Sequence, residues 1–492
     1  MANDMKKIRT SVVDGMAMTP RYRERQLAKL HASLVQERSA FTRAIAELSS
    51  STDAEASAQY LLAMRAVKTF HQSCDPKVCQ EEEYRIAEGK NHLSRRTPYG
   101  CAYIVPSTYD LFYSTVVPIA AAIAAGNCVV LKLPRSLSEL NSKLRTVLCD
   151  SLNSETFALV DDQPFDEKYL AKNCIIFDGT EQKEAISSSR SIATLQRQVV
   201  AVIDRSAHLI DAAKECVKAR FGFGGRSAYA PDFLLVNEFV VKEFRAAIVE
   251  VATKYFSGSV DDKAQRKSGK QSSALDASIE GSLRRSSAEI VVSGAKGCIA
   301  MLQNRDSELL KSRTNAPLLL IVPITSMDDA INLIGRDGQI GSRLRASFLF
   351  GAPPAAKYLG QYIDSPITCV NQIPTELLVG PPAPDGFEIC VQPRYTADMF
   401  SSPSPQLIQR SQLADVLTSL LAPDQSAKQQ RKAKEELDLA LQRVAEPFGP
   451  PIGFFEQGIL FGLSCVLITV ATATGVIIKY GVPPLMARIR TR

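Results

Sequence analysis

What the chain lacks narrows its function before any motif is read. Its body has no block of basic residues and no basic stripe interleaved with aromatics, and the net charge of +6 is spread over 492 residues. A nucleic-acid partner needs a concentrated positive footprint, so none is expected. The eleven cysteines are scattered, not set at the short regular spacings of a disulfide framework, which fits a reducing compartment. The opening MANDMKKIRTSVVDG lacks the apolar core of a secretory signal, and no signal peptide is expected. No metal centre is expected either. The nearest grouping, His71, Cys74 and Cys79, offers three ligands at an odd spacing, whereas structural zinc sites close with four.

What is present is the composition of a folded protein, 45% hydrophobic and 22% charged, long enough for two or three domains with buried cores. Residues 20 to 72 read as paired amphipathic helices, with Leu27, Leu30, Leu34, Phe41, Ile45 and Leu48 at helical spacing. From Arg96 onward short apolar runs alternate with helical stretches: YGCAYIVP, VVPIAAAIAAGN, CVVLKLP, CIIFDGT and VVAVID, then FLLV, EIVVSG, PLLLIVPI, ASFLFG and ITCVNQ. That alternation predicts parallel sheets with crossover helices. The polar stretch SGSVDDKAQRKSGKQSSALDAS reads as an exposed loop, and QSAKQQRKAKEELDLALQRVAEP as a charge-mixed linker helix.

Gly458 to Ile478 supply 21 consecutive uncharged, mostly apolar residues. At 1.5 Å per residue a helix of that length matches the roughly 30 Å core of a bilayer. A core helix so long should show a polar face, so a membrane span is expected. The body is then cytosolic and the short basic end, with Lys479, Arg488, Arg490 and Arg492, lies on the far side.

From Tyr99 to Pro134 the sequence resembles the aldehyde dehydrogenase superfamily. VVPIAAAIAAGNCVVLKLP is close to the family's helix and strand ending in Ala-Gly-Asn and Val-Leu-Lys-Pro. The likeness continues through FDGT, VVAVIDRSAHLIDAA, APDFLLV, PLLLIVPI, TCVNQI and RYTADMFS, in the family's order, to about Ser402. The apolar tail after this body resembles the membrane-anchored fatty aldehyde dehydrogenase branch. The implied fold is α/β, with two Rossmann-like parallel-sheet domains, an oligomerisation strand element and a C-terminal transmembrane helix. Boundaries are expected at 1–205 for a cofactor-binding-like domain with N-terminal helices and 206–385 for a catalytic-like domain. Then come 386–410 for a return and oligomerisation segment, 411–457 for the linker helix, 458–478 for the span and 479–492 for the basic tail.

The chemistry implied by the resemblance needs a cysteine nucleophile, a glutamate base and an asparagine donor to the oxyanion, three separate requirements. Anchoring on Ala-Pro-Asp places the family's Gly-Gln-Thr-Cys on Gly225, Arg226, Ser227 and Ala228, so the nucleophile position is alanine. Anchoring on VVAVID places Glu-Leu-Gly-Gly-Lys on Thr194, Leu195, Gln196, Arg197 and Gln198, so the base position is threonine. Trp-Asn-Tyr-Pro falls on Thr108, Tyr109, Asp110 and Leu111, putting tyrosine at the oxyanion position. Ser227 is the remaining candidate nucleophile, with no base near it in sequence. Cys216, Cys298 and His208 read as packing or helix-face residues.

The cofactor implied by the resemblance is NAD or NADP, with Lys132, Gly179 and Thr180 the residues left to bind it. Arg135 stands at the neighbouring glutamate position, and Arg313, Thr314, Asn315, Ala316 and Pro317 replace Glu-Ile-Phe-Gly-Pro. Asp178, Glu181 and Glu184 crowd the turn that should receive the pyrophosphate at a helix N-terminus. The expected protein is therefore membrane-tethered and without ordinary dehydrogenase activity, acting as a binding, scaffolding or partner subunit in metabolism of a lipophilic compound. As partners it would take aldehyde dehydrogenase-like chains, in a homo- or hetero-oligomer. The alternative is a divergent enzyme that oxidises a hydrophobic aldehyde to the acid with NAD(P).

Overall fold

A computed structural model describes residues 2–49, 51–90, 94–161, 167–180, 190–193, 196–257, 277–294, 296–311, 313, 316–335, 343–404, 411–421 and 452–476, with 428, 431, 434 and 435. The chain divides into two compact units, Met1–Leu407 and Ile408–Arg492. The first holds all three sheets.

Strands β2 (Cys101–Val105), β3 (Cys128–Lys132), β4 (Phe157–Val160), β5 (Cys174–Asp178) and β6 (Ser191–Ile192) form a parallel sheet in the order β4-β3-β2-β5-β6. A second sheet of seven strands has the order β13-β12-β7-β8-β11-β10-β9. It comprises β7 (Val199–Ile203), β8 (Phe233–Asn237), β9 (Glu289–Gly294), β10 (Gly297–Met301), β11 (Leu318–Ile324), β12 (Ala346–Phe350) and β13 (Thr368–Val370). Only the β9–β10 pair is antiparallel. The central strands are buried on both faces, as in CAYIV, VVAVI, FLLVN and ASFLF, which is why these runs are continuously apolar and do not alternate. A two-stranded ribbon pairs β1 (Arg96–Pro98) with β14 (Ser401–Pro403).

The Ala-Gly-Asn motif shows how sequence sets the local fold. The helix Leu111–Ala125 ends at Gly126, which adopts φ 95°, a left-handed conformation open to glycine at little steric cost. Asn127 then accepts from the Gly100 N–H at 2.9 Å and donates to the carbonyls of Ala122 and Phe400 at 3.2 and 2.9 Å. One side chain thereby ties a helix end to the residue before β2 and to the far C-terminal RYTADMFS segment. The N-terminal helices pack as their spacing predicts, with Leu27, Leu30, Leu34, Phe41 and Ile45 buried. Residues 2–14 add a further helix, for which Met5 and Ile8 supply the buried contacts against the outer face of the first sheet.

The second unit contains the helices Gln412–Leu421 and Phe454–Val476. Glu456–Val476, 21 residues long, is apolar enough to cross a membrane. Most of the linker-helix sequence, residues 477 and 478 of the span and all of the basic tail lie outside the described residues.

Candidate functional site: a cleft around Ala228

The GFGGRSAYAPD loop follows the helix Leu209–Phe221 and leads into β8. Gly224 and Gly225 have φ of 70° and 74°. A Cβ at Gly225 would meet the Pro317 side chain at 2.8 Å, and one at Gly224 the Ser49 carbonyl at 2.7 Å. Both glycines are therefore required by close approach as well as by conformation. Ala228, 7% exposed, lines a cleft of about 550 Å³.

Tyr109, Thr180, Arg226, Arg313 and the Gly380–Pro382 segment share that cleft with Ala228. Arg313 donates from Nη1 to the Ala228 carbonyl and from Nη2 to the Ser227 carbonyl at 2.6 Å, and Arg345 donates to the same Ala228 oxygen at 3.1 Å. Asp232 fixes this cationic group from below. Its Oδ1 lies 3.1 Å from Arg220 Nη1 and 3.7 Å from Arg313 Nε, and its Oδ2 accepts the Val199 N–H at 2.9 Å. Burial draws the Arg220 pKa down to about 10, an effect Asp232 opposes, so the guanidinium remains charged at neutral pH.

Tyr109 donates its hydroxyl to the carbonyl of Phe223, and the Arg226 guanidinium stacks 5.2 Å from its ring centroid. Burial, reinforced by the neighbouring Asp110, holds its phenol well above the ordinary range. The phenol is thus a neutral group whose one proton is already committed to the loop. Asp110 is itself buried and accepts from Gln59 Nε2 and the Gly380 N–H, both at 2.8 Å. Burial pushes its carboxyl up to about 7, against the pull of the Gly380 N–H and Arg394.

Ser227 is fully buried, and its Oγ accepts the Tyr229 N–H at 3.4 Å. Among the described residues no side-chain base contacts it. Cys216 and Cys298 are packed in the core, and burial pushes the Cys216 thiol far up and that of Cys298 to about 11; neither lines the cleft. His208 pairs at the surface with Asp211 at 2.9 Å. His71 meets Glu24 at 3.0 Å while Cys74 is buried and Cys79 half-buried. Thr194, Glu181 and Glu184 lie outside the described residues, as do Leu195, Thr314 and Asn315.

Of the residues left for a cofactor, Gly179 and Thr180 line the cleft. Lys132, half-buried at the end of β3, is not among its lining residues. Arg135, beyond β3, reaches Asp161 at 3.1 Å. Sequence reasoning missed Arg345, and also Arg394, which donates to the carbonyls of Glu376, Leu377, Val379, Gly380 and Pro381 and so moulds one wall. These arginines stand far in sequence from the loop they serve, and no local pattern marks them.

The aldehyde dehydrogenase family model matches residues 10–160. Over that N-terminal part the chain is similar to the aldehyde dehydrogenase family. It is 26% identical over 280 residues to aldehyde dehydrogenase family 3 member B1 of Bos taurus, an alignment covering 52% of this chain and 57% of that protein. The chain thus matches little more than half the length of that relative. In fold it is similar to Staphylococcus aureus AldH, with a TM-score of 0.64 at 15% identity over 84% of this chain and 94% of that one. A mutant aldehyde dehydrogenase C from Pseudomonas syringae, solved with NAD+ and octanal, superposes with a TM-score of 0.58 at 16% identity, covering 76% and 82% of the two chains.

The described residues fit a nicotinamide dinucleotide poorly. Asp178 Oδ1 accepts both the backbone N–H and the hydroxyl of Thr180, at 2.9 and 2.6 Å, so these two donors of Thr180 already serve a carboxylate. An anionic pyrophosphate approaching them would meet that charge. Arg226 and Arg313 also line the cleft, where a cationic oxidised nicotinamide ring would meet like charge.

Proposed function

We propose that the chain is a membrane-tethered aldehyde dehydrogenase-like protein that has lost standard NAD-dependent aldehyde oxidation. It acts as a binding, scaffolding or partner subunit in metabolism of a lipophilic compound. The observation that carries this reading is Ala228 at the tip of an otherwise intact presenting loop, with its carbonyl held by Arg313 and Arg345. Acyl transfer through a thioester needs a thiol there, and the other described elements do not replace it. Tyr109 gives its proton to Phe223, and Ser227 has a backbone amide for a partner.

The tether rests on Glu456–Val476, apolar and exposed along its length within its own unit, as a helix surrounded by lipid would be. Pairing with aldehyde dehydrogenase-like chains is supported by strand β13, the edge of the seven-stranded sheet, where Thr368 and Val370 are exposed. Such an edge accepts a further strand from another chain.

One observation favours a second reading, a divergent enzyme acting on a hydrophobic aldehyde: the cleft at Ala228 remains open, at about 550 Å³. The two readings separate when purified protein is melted with excess NAD or NADP and then assayed with a long-chain aldehyde. A thermal shift with turnover establishes the enzyme. Absence of both, with co-purification of an active relative, establishes the partner subunit.

A further inference from the structure

The helix Gln412–Leu421 of the second unit has two unlike sides. Its sequence, QLADVLTSLL, sets Leu413, Val416, Leu417, Leu420 and Leu421 at i, i+3, i+4, i+7 and i+8, the spacing that gathers apolar positions along one side of a helix. Gln412, Asp415, Thr418 and Ser419 fall opposite. Ser411 opens the helix, its Oγ accepting the Ala414 N–H at 3.1 Å, and Thr418 donates its hydroxyl back to the Ala414 carbonyl at 2.6 Å. On the apolar side Leu413, Leu417 and Leu421 are 52%, 48% and 83% exposed. A helix of 10 residues is marginal in water without a surface to pack on, and this leucine stripe is what it offers to one.

Charge and chain length decide what covers the stripe. Asp415 is the helix's only charged residue and falls on the polar side, so the apolar side enters hydrocarbon with no charge to desolvate. Residues 422–453 separate this helix from the apolar helix Phe454–Val476, and even fully extended they reach no more than about 110 Å. A bilayer crossed by that span is thus held within reach, at an effective concentration that a freely diffusing protein does not match. We propose that Gln412–Leu421 lies flat in the bilayer interface, with Leu413, Leu417 and Leu421 against the acyl chains, as a membrane contact additional to the span. This contact rests on the membrane tether proposed above. Its consequence is a shorter tether: the first unit ends at Leu407, so residues 408–411 link it to the bilayer surface in place of 408–453. The body is thereby kept where lipophilic compounds concentrate. With no lysine or arginine on the helix, the contact needs no anionic lipid.

The chain has no tryptophan, so Leu417→Trp and Thr418→Trp each introduce a single fluorescent reporter, one on either side of the helix. Both full-length variants are reconstituted in phosphatidylcholine vesicles, with and without brominated acyl chains, and checked for retention after alkaline wash. The Leu417→Trp emission is expected to be blue-shifted, quenched roughly twofold by the brominated lipid and shielded from aqueous acrylamide. The Thr418→Trp emission is expected to stay at the aqueous wavelength and open to acrylamide, and phosphatidylserine should change neither. Equal acrylamide quenching of the two variants overturns the contact. A blue-shifted Leu417→Trp emission that brominated lipid leaves untouched also overturns it, because protein then covers the stripe. Loss of the chain from the vesicles on alkaline wash removes the span and this contact together, whereas a retained chain with no lipid quenching removes this contact alone.

Discussion

Arg313 holds the carbonyl of Ala228 through Nη1 while its Nε stands 3.7 Å from the buried Asp232. Arg313, at a position that the family resemblance assigns to glutamate, supports the backbone of the Ser227–Ala228 loop. Removing it leaves two loop carbonyls without that donor and leaves Asp232 paired with Arg220. Arg313→Met should destabilise the body by about 2–4 kcal/mol, read as a lower urea midpoint with an unchanged slope. A stability within error of the parent would mean that the clamp is incidental.

Restoring the thiol should not restore the reaction. Ala228→Cys places a nucleophile on the intact loop, but Tyr109 still donates to Phe223, and Arg226 and Arg313 still line the cleft. The variant is expected to fold as the parent does and to produce no reduced nicotinamide from octanal above background. Absorbance at the reduced-cofactor band checks this.

Asp110 should impose a pH dependence on stability. Its folded pKa of about 7 lies above the value near 3.9 of an unfolded aspartate, so between those values the folded state binds the extra proton. The stabilisation from that proton is complete below about pH 4 and is lost as pH rises through 7. Asp110→Asn, which cannot titrate, should flatten that part of the curve of melting temperature against pH. A slope equal to the parent's would assign the dependence to another group.

The strands were legible because the parallel sheets bury both faces, and runs such as VVAVI and FLLV carry that burial directly. The presenting loop was legible too, through the two glycines that its turn requires. Tyr109 was visible as a replacement but not as a donor to Phe223, since the two residues come together only through the fold. The arginine clamp shows the limit most clearly. Arg313 and Arg345 lie 85 and 117 residues from Ala228, and an arginine in a loop between strands looks the same in sequence whether it faces solvent or a buried carbonyl.

The second unit makes its own prediction. Cells expressing the full chain should retain it in the membrane pellet after alkaline wash, whereas a chain ending at Leu407 should move to the supernatant. Equal partition of the two would remove the tether from the account.

The central claim is that the retained fold no longer handles a nicotinamide cofactor. The most direct measurement is the melting temperature of the full chain in detergent with and without millimolar NAD or NADP, followed by an assay with a long-chain aldehyde. No shift and no turnover are expected. A saturable shift accompanied by oxidation of the aldehyde would contradict the account.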